Sequence, residues 1–427
     1  MKKLLLISYY WPPAGGGGVQ RWLKMSKYLP EHGWLPVVYT ALPTTYVAED
    51  RDLLDEVHPD IEIIRTPIAE PYGLYAKFMG QKKEKSNYSG FIKDKKSGFA
   101  HKISVFIRSN LFIPDARKFW IRPSVKYLRT WLKDNHVDAI VTNGPPHSMH
   151  MIGLKLKKHF PNIPWIADFR DPWTNIDFYK DLKLLPFADS LHKRMEKSVL
   201  TKADKVVTVT WTFQKELSAL GNGRKVDLVL NGYDPFDFKN FKSIKTDEFI
   251  ICHLGSMNKD RNPASLWKAL QSLKVTDEEF AKKLKIYLIG PVDNAIKQSI
   301  KQYKLEENLV LQNFIPHQEA IQFLQKCDLL LLSINESNNS KGILPGKLFE
   351  YLATGKPILA IGPKDGDINK VMTKLSISQL FDYEEYDLIK EFIEKKYNYS
   401  STGLDNIEKY SRKTHAKSYA LLLNELV

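Results

Sequence analysis

Four consecutive glycines, Gly15 to Gly18, follow Tyr9-Tyr10-Trp11-Pro12-Pro13-Ala14 and lead into Val19-Gln20-Arg21. Glycines ahead of a helix let the backbone approach a ligand and aim free N–H groups at an anion. A flexible connection is the plain alternative, but four glycines cost more chain entropy than such a loop needs. A dinucleotide site is the sharper rival. It fails because Gln20 takes the last glycine position of G-x-G-x-x-G and no acidic residue ends the run Val37–Thr40. Gly16, Gly17 and Gly18 therefore read as an anion-approach turn without dinucleotide readout.

The densest constellation runs from Ser340 to Leu359, SKGILPGKLFEYLATGKPIL. Pro345 suits a helix start and Gly355 its C-terminal cap. The N–H groups around Gly342, Ile343, Leu344 and Gly346 are expected to face an anion, with the charge of Lys347 beside them. Glu350, three residues on, shares the helix face of Lys347. A carboxylate there can accept both hydroxyls of a ribose while the lysine meets phosphates. An ordinary capped helix with an exposed Lys–Glu pair remains open as the alternative.

Three further stretches follow apolar runs, where α/β folds bind ligands. His253-Leu254-Gly255-Ser256-Met257-Asn258-Lys259-Asp260-Arg261 offers Lys259 and Arg261 for phosphates. Asn143-Gly144-Pro145-Pro146-His147-Ser148 and Ala167-Asp168-Phe169-Arg170-Asp171-Pro172-Trp173 gather His147, Asp168, Arg170 and Asp171. That cluster can bind hydroxyls and take up a proton. An internal Arg–Asp pair that shapes the loop is the competing reading. Asp365-Gly366-Asp367 imitates a metal-binding D-x-D, but it sits in a turn after Pro357–Ile361, and Asp-Gly is ordinary turn chemistry.

The elements that must hold these residues are short. Leu4–Ser8, Pro36–Thr40, Ile61–Arg65, Ala139–Thr142, Trp165–Asp168, Val206–Thr210 and Asp227–Leu230 read as strands of one parallel sheet. Helical stretches such as Val19–Leu29 and Val125–Lys133 lie between them. After the polar stretch Asp234–Glu248 a second series begins: Phe249–Leu254, Leu284–Ile289, Leu309–Gln312, Asp328–Ser333 and Pro357–Ile361. Two doubly wound, Rossmann-like α/β domains are expected, over 1–233 and 234–405, with a last helix over 406–427.

The 427 residues carry 63 Lys+Arg against 49 Asp+Glu, a net charge of +14. Between Tyr72 and Lys133 fifteen basic residues meet three acidic ones. That stretch, interleaved with aromatics such as Tyr75, Phe78, Phe99, Phe106, Trp120 and Trp131, reads as a first-domain insertion. It would face an acceptor or an anionic membrane surface, with an apolar helical face over Lys102–Phe112. Packing of those apolar residues on the domain core is the alternative. No nucleic-acid motif accompanies the charge. No run reaches the ~20 apolar residues of a membrane span, and the apolar start Leu4–Ile7 is too short for a signal peptide. Cys252 and Cys327 both lie in apolar runs, so neither a disulfide framework nor a metal cluster is expected and the compartment is reducing, the cytoplasm.

The Ser340–Leu359 segment resembles the nucleotide-sugar motif of retaining family 4 glycosyltransferases with the GT-B fold. That motif has two glutamates eight positions apart. Glu350 matches the second, which binds the ribose; the first, which contacts the donor sugar, falls on Gly342. Asn231-Gly232-Tyr233-Asp234 resembles the Asn-Gly-x-Asp that closes the first domain. Arg261 falls on a lysine that meets the donor diphosphate, and Ser256 on an arginine, for which Lys259 is expected to stand in. Arg170-Asp171 fall where many relatives have a His-Asp facing the acceptor and the reacting sugar. The resemblance implies two domains facing across a cleft and a last helix crossing back to the first. It implies transfer of a hexose-type sugar, with retention and without a metal or other cofactor, from a nucleoside diphosphate to a glycan or lipid-linked acceptor of envelope polysaccharide synthesis. UDP is the commonest carrier in the family. A sugar-nucleotide epimerase and a non-catalytic nucleotide-sugar binder are the rival readings.

Overall fold

A computed structural model describes residues 1–42, 46, 48–69, 106, 109–177, 179–399 and 406–427. The chain divides into two compact units. The first contains the described residues up to Leu230 together with Arg412–Val427, and the second contains Asn231–Ser411. The division thus falls three residues earlier than the Asn-Gly-Tyr-Asp turn suggested.

Among the described residues, the first unit holds β1 (Lys2–Ile7), β2 (Trp34–Leu42), β3 (Glu62–Pro67), β4 (Ala139–Gly144), β5 (Trp165–Phe169), β6 (Lys205–Thr208) and β7 (Asp227–Leu228). All pair in parallel, in the order β3-β2-β1-β4-β5-β6-β7. Winding reverses between β1 and β4, the switch point at which open α/β sheets leave a crevice. Its helices are α1 (Gly17–Tyr28), α2 (Lys118–Asp134), α3 (Ser148–His159), α4 (Pro186–Lys202) and α5 (Trp211–Leu220). Alternation along β1 sends Leu4 and Leu6 into a core with Trp22 and Trp34, and Leu5 and Ile7 into one with Trp120 and Trp165. Both faces of the sheet are therefore covered.

The second unit holds β8 (Phe249–Leu254), β9 (Leu284–Ile289), β10 (Leu309–Gln312), β11 (Leu329–Ser333), β12 (Ile358–Ile361) and β13 (Gln379–Phe381), ordered β10-β9-β8-β11-β12-β13. Reading the sequence missed β13, whose three residues carry no pattern of their own. Helices α6 (Ala264–Thr276), α7 (Glu278–Lys283), α8 (Asn294–Gln302), α9 (His317–Leu324), α10 (Gly346–Ala353), α11 (Asp367–Met372) and α12 (Tyr386–Asn398) pack on this sheet.

The last helix, α13 (Arg412–Asn424), starts six residues after Asn406 and belongs to the first unit. Tyr419 meets Trp22 of α1 edge-on at 4.9 Å, and Trp34 donates to Asn424 at 3.1 Å.

Of the basic stretch, residues 72–105, 107 and 108 lie outside the described residues, and with them half of the apolar face expected over Lys102–Phe112, while Phe106 and Leu111 of that face are 41% and 59% exposed. Its C-terminal part is α2. There Trp120 is 1% exposed, stacks on Tyr39 at 5.1 Å and donates to Thr66 at 3.0 Å. Val125, Leu128 and Leu132 are buried with it, and Trp131 packs against them. Trp120 and Trp131 thus serve the core, because a helix covering a sheet must spend its apolar face there, whereas Phe106, Phe119 and Tyr127 stay exposed. No helix among the described residues is long and apolar enough to cross a membrane. Cys252 and Cys327 are both buried and free.

Candidate active site

In the second unit β8 runs into Gly255, whose φ of +95° favours glycine; a side chain there would also sit 3.3 Å from Lys347 Nζ. Pro345 precedes α10, and Gly355, at φ +65°, follows its last turn. Lys347 folds back from the first turn of α10. Its ammonium donates to the Leu254 carbonyl and lies 3.1 Å from Nε2 of His253. His253 is fully buried with Nδ1 3.1 Å from the Leu331 carbonyl. That contact assigns the ring proton to Nδ1 and leaves Nε2 to accept from the lysine. Burial first, and then the nearby Arg261, pull the Lys347 pKa down to about 7, with Glu350 opposing both.

Arg261 is held by the loop that carries it. Its Nη1 donates to the Ser256 carbonyl at 2.9 Å and its Nε to the side chain of Asn335. Its own carbonyl accepts from Ser333 at 3.0 Å. Two cations are thus drawn together beside a glycine turn and a helix start, which leaves the site short of negative charge. The hydroxyl of buried Tyr351 accepts the Leu254 N–H at 2.9 Å and fixes the strand end against α10. His253, Asn335 and Tyr351 were not assigned from the sequence. Only His253 carried a signal, as the residue two before the glycine.

The remaining donor candidates divide. Glu350 lies one turn beyond Lys347, half-buried, with Oε1 3.1 Å from His317 Nε2. Lys259 does not join the pair: it is 56% exposed and, among the described residues, pairs with Asp260 alone, at 3.7 Å. The anion role expected of the Gly342 and Ile343 amides is also corrected. Gly342 and Ile343 donate to Asn339 and Ser340 within their own 3₁₀ turn, at 2.9 and 3.0 Å. Leu344 is buried. The amides left to face an anion are those of Leu344 and of the first turn of α10, Gly346 and Lys347. Asp365 pairs with Lys341, while Asp367 is 1% exposed and bonds Lys370 at 2.7 Å.

In the first unit Gly16 adopts φ +87° ahead of α1, and open space lies over Gly16 and Gly17. A side chain on Gly18 would meet the Tyr10 ring at 3.0 Å and Arg170 Nη1 at 3.4 Å. Arg170 bonds Asp171 through Nε and Nη2 at 3.2 and 3.1 Å, whereas Nη1 has no hydrogen-bond partner among the described residues. A guanidinium beside a helix N-terminus repels its dipole, so the pair suits an anion placed next to both. Asp171 is 40% exposed and can still reach a ligand.

Asp168 is corrected. It is fully buried, binds Arg21 through both oxygens at 2.9 and 3.3 Å, and accepts the Trp22 Nε1–H at 3.0 Å. Three bonds made inside the core, with no exposed surface, make it a clamp between α1 and β5. His147 is 7% exposed and stacks flat on Trp173 at 4.6 Å. Trp173 in turn donates to His192 at 3.0 Å, and Glu196 accepts from the loop at Thr174 Oγ1, 2.6 Å. At the carboxyl ends of β4 and β5, Asn143 Oδ1, His147 Nδ1, His150 Nε2 and Arg170 Nη1 are buried without a hydrogen-bond partner. Each such group costs about 1–3 kcal/mol unless a water or a ligand meets it.

The buried imidazoles make stability depend on pH. Burial pulls His150 down to about 3, and burial first, then neighbouring cations, pulls His147 and His253 well below 6.5. His192 is lowered as well. Folded pKa values below the unfolded one mean stability that is present above pH 6.5 and lost as pH falls. Glu196, raised by burial, works in the opposite direction. Melting temperature is expected to drop between pH 7 and 5.5, with a shallower drop in His150→Gln. Equal slopes for both proteins exclude His150 as a cause.

Residues 235–371 match the family model described as "Glycosyl transferases group 1", and residues 88–235 match "Glycosyltransferase Family 4". The two meet where the units divide. The chain belongs to these glycosyltransferases, with a two-domain GT-B fold, and depends on a nucleotide sugar. Its fold is similar to that of an α,α-trehalose-phosphate synthase (UDP-forming) from Burkholderia xenovorans, at 9% identity and a TM-score of 0.64, with 99% of this chain and 100% of that one covered. Against S. aureus TarM, solved with Fondaparinux, α-GlcNAc-glycerol and UDP, the figures are 13%, 0.59, 99% and 100%. Against a putative UDP-N-acetylglucosamine 2-epimerase from Listeria monocytogenes they are 11%, 0.55, 99% and 96%. No curated protein matches the chain in sequence.

Proposed function

We propose that this glycosyltransferase moves a hexose-type sugar from a nucleoside diphosphate, UDP for preference, to a glycan or lipid-linked acceptor of envelope polysaccharide synthesis, on the cytoplasmic side of the membrane. The observation that carries the reading is the Arg261–Lys347 pair beside Gly255 and the start of α10, with Glu350 one turn on. The pair and the helix dipole neutralise the departing diphosphate without a metal. Glu350 accepts ribose hydroxyls. As the bond from the anomeric carbon to the phosphate oxygen breaks, the acceptor oxygen bonds to that carbon on the same face. Its proton passes to the departing diphosphate, so configuration is retained. Asp171 orients the acceptor, and neutral His147 lines the wall beneath it. UDP in the TarM structure supports the choice of base.

The test is incubation of the enzyme with nucleotide sugars, with and without glycan and lipid-linked acceptors, in EDTA, with the product anomer read by NMR. A retained glycoside formed only with acceptor is expected. An epimer from donor alone makes the chain an epimerase, and loss of turnover in EDTA that manganese restores overturns the metal-free step. Glu350→Ala should weaken UDP binding by about 1–3 kcal/mol, the scale of lost hydrogen bonds to a charged group. Unchanged affinity in calorimetry removes Glu350 from the site.

A further inference from the structure

A groove of about 470 Å³ runs between α2 and α3 on the first unit. Arg122, Lys126, Arg129 and Lys133 line it from α2, and Lys155 and Lys158 from α3. On α2 the spacing of four, three and four residues stacks the cations along one face, each about 5–6 Å from the next and ~16 Å from first to last. All six are exposed, and among the described residues none forms an ion pair. Elsewhere exposed lysines do find carboxylates: Lys193 with Asp189, Lys283 with Glu279 and Lys413 with Glu31. The C-terminal dipole of α3 accounts for Lys158. It does not account for the row on α2, which begins in that helix's first two turns.

The groove is also remote from the chemistry. Both helices end where they feed the amino ends of β4 and β5, whereas Gly16–Gly18, Asn143 and Arg170 lie at strand carboxyl ends or just beyond them. We propose that the α2–α3 groove is a docking site for a linear, phosphate-bearing polymer, separate from the site of sugar transfer. Cations on two facing walls can enclose a chain whose charges repeat at a few ångströms, while a flat bilayer meets only the rims. The lining holds no Phe, Tyr or Trp, and His159 is its single ring, too few to stack successive bases as single-stranded nucleic-acid channels do.

The intact chain is titrated with linear polyphosphate at several salt concentrations. Affinity should fall with salt, and Arg122→Glu with Lys126→Glu and Arg129→Glu should weaken it at least tenfold and flatten that dependence. Lys282→Glu with Lys301→Glu, on the second unit, is the control for general positive charge and should change little. Circular dichroism and transfer to a small acceptor should match the parent in both variants. Equal losses in both variants, or none, overturn the proposal. So does groove-dependent binding to vesicles with phosphatidylglycerol, or to a single-stranded oligonucleotide, that is tighter than to polyphosphate: either assigns the groove to that partner.

Discussion

Lys347→Ala is expected to lower kcat for sugar transfer by roughly 10²–10³-fold, the scale of losing one preorganised group that stabilises charge in the transition state. Affinity for UDP should fall far more than affinity for uridine, since the ammonium faces phosphates and not the nucleoside. Arg261→Ala should act in the same direction. A pH signature separates this role from a structural one. Burial beside Arg261 leaves the free lysine titrating near 7, and a bound diphosphate must raise that value. UDP affinity should therefore be highest below pH 7 and decline as pH rises through the gap between the free and bound pKa. Lys347→Arg keeps its charge across that range and should lose the decline. Calorimetry across pH 6 to 9 decides the matter, and a parent profile identical to that of Lys347→Arg removes the lysine from the diphosphate.

Asp168→Leu is expected to destabilise the first unit by about 3–5 kcal/mol, because it strands the Arg21 guanidinium, 1% exposed, without a counter-charge. At the usual few degrees per kcal/mol for a unit of this size, its thermal midpoint should fall by roughly 10 °C. Arg21→Met combined with Asp168→Leu removes both charges and should recover most of the loss, since replacing a whole buried pair by apolar groups is often neutral. Transfer by the double variant, measured well below its midpoint, should stay within a few-fold of the parent. A loss of activity at unchanged stability returns Asp168 to the acceptor site from which its burial removes it.

Much of the architecture is legible in the sequence because its signals are local. Strands β8, β9 and β10 fall at the positions expected, being apolar runs with turn residues on both sides. The glycine turn before α1, and Pro345 and Gly355 at the ends of α10, declare their backbone geometry at single positions. Lys347 and Glu350 are tied together by helical spacing alone. What these residues touch is not a local property. Asp168 and Asp171 sit three positions apart at the end of β5, yet the strand turns the first into the core against Arg21 and the chain beyond it leaves the second at the surface. Lys259 and Arg261 are near neighbours, yet only Arg261 finds Asn335 and Ser256 and so comes beside Lys347. Side-chain direction at a strand end and hydrogen bonds between distant segments made those choices. Composition and spacing therefore determined a two-domain α/β chain with phosphate-seeking turns. Only tertiary packing decided which charges it buries as clamps and which it holds out for a ligand, because the free energy of a charge depends on its surroundings.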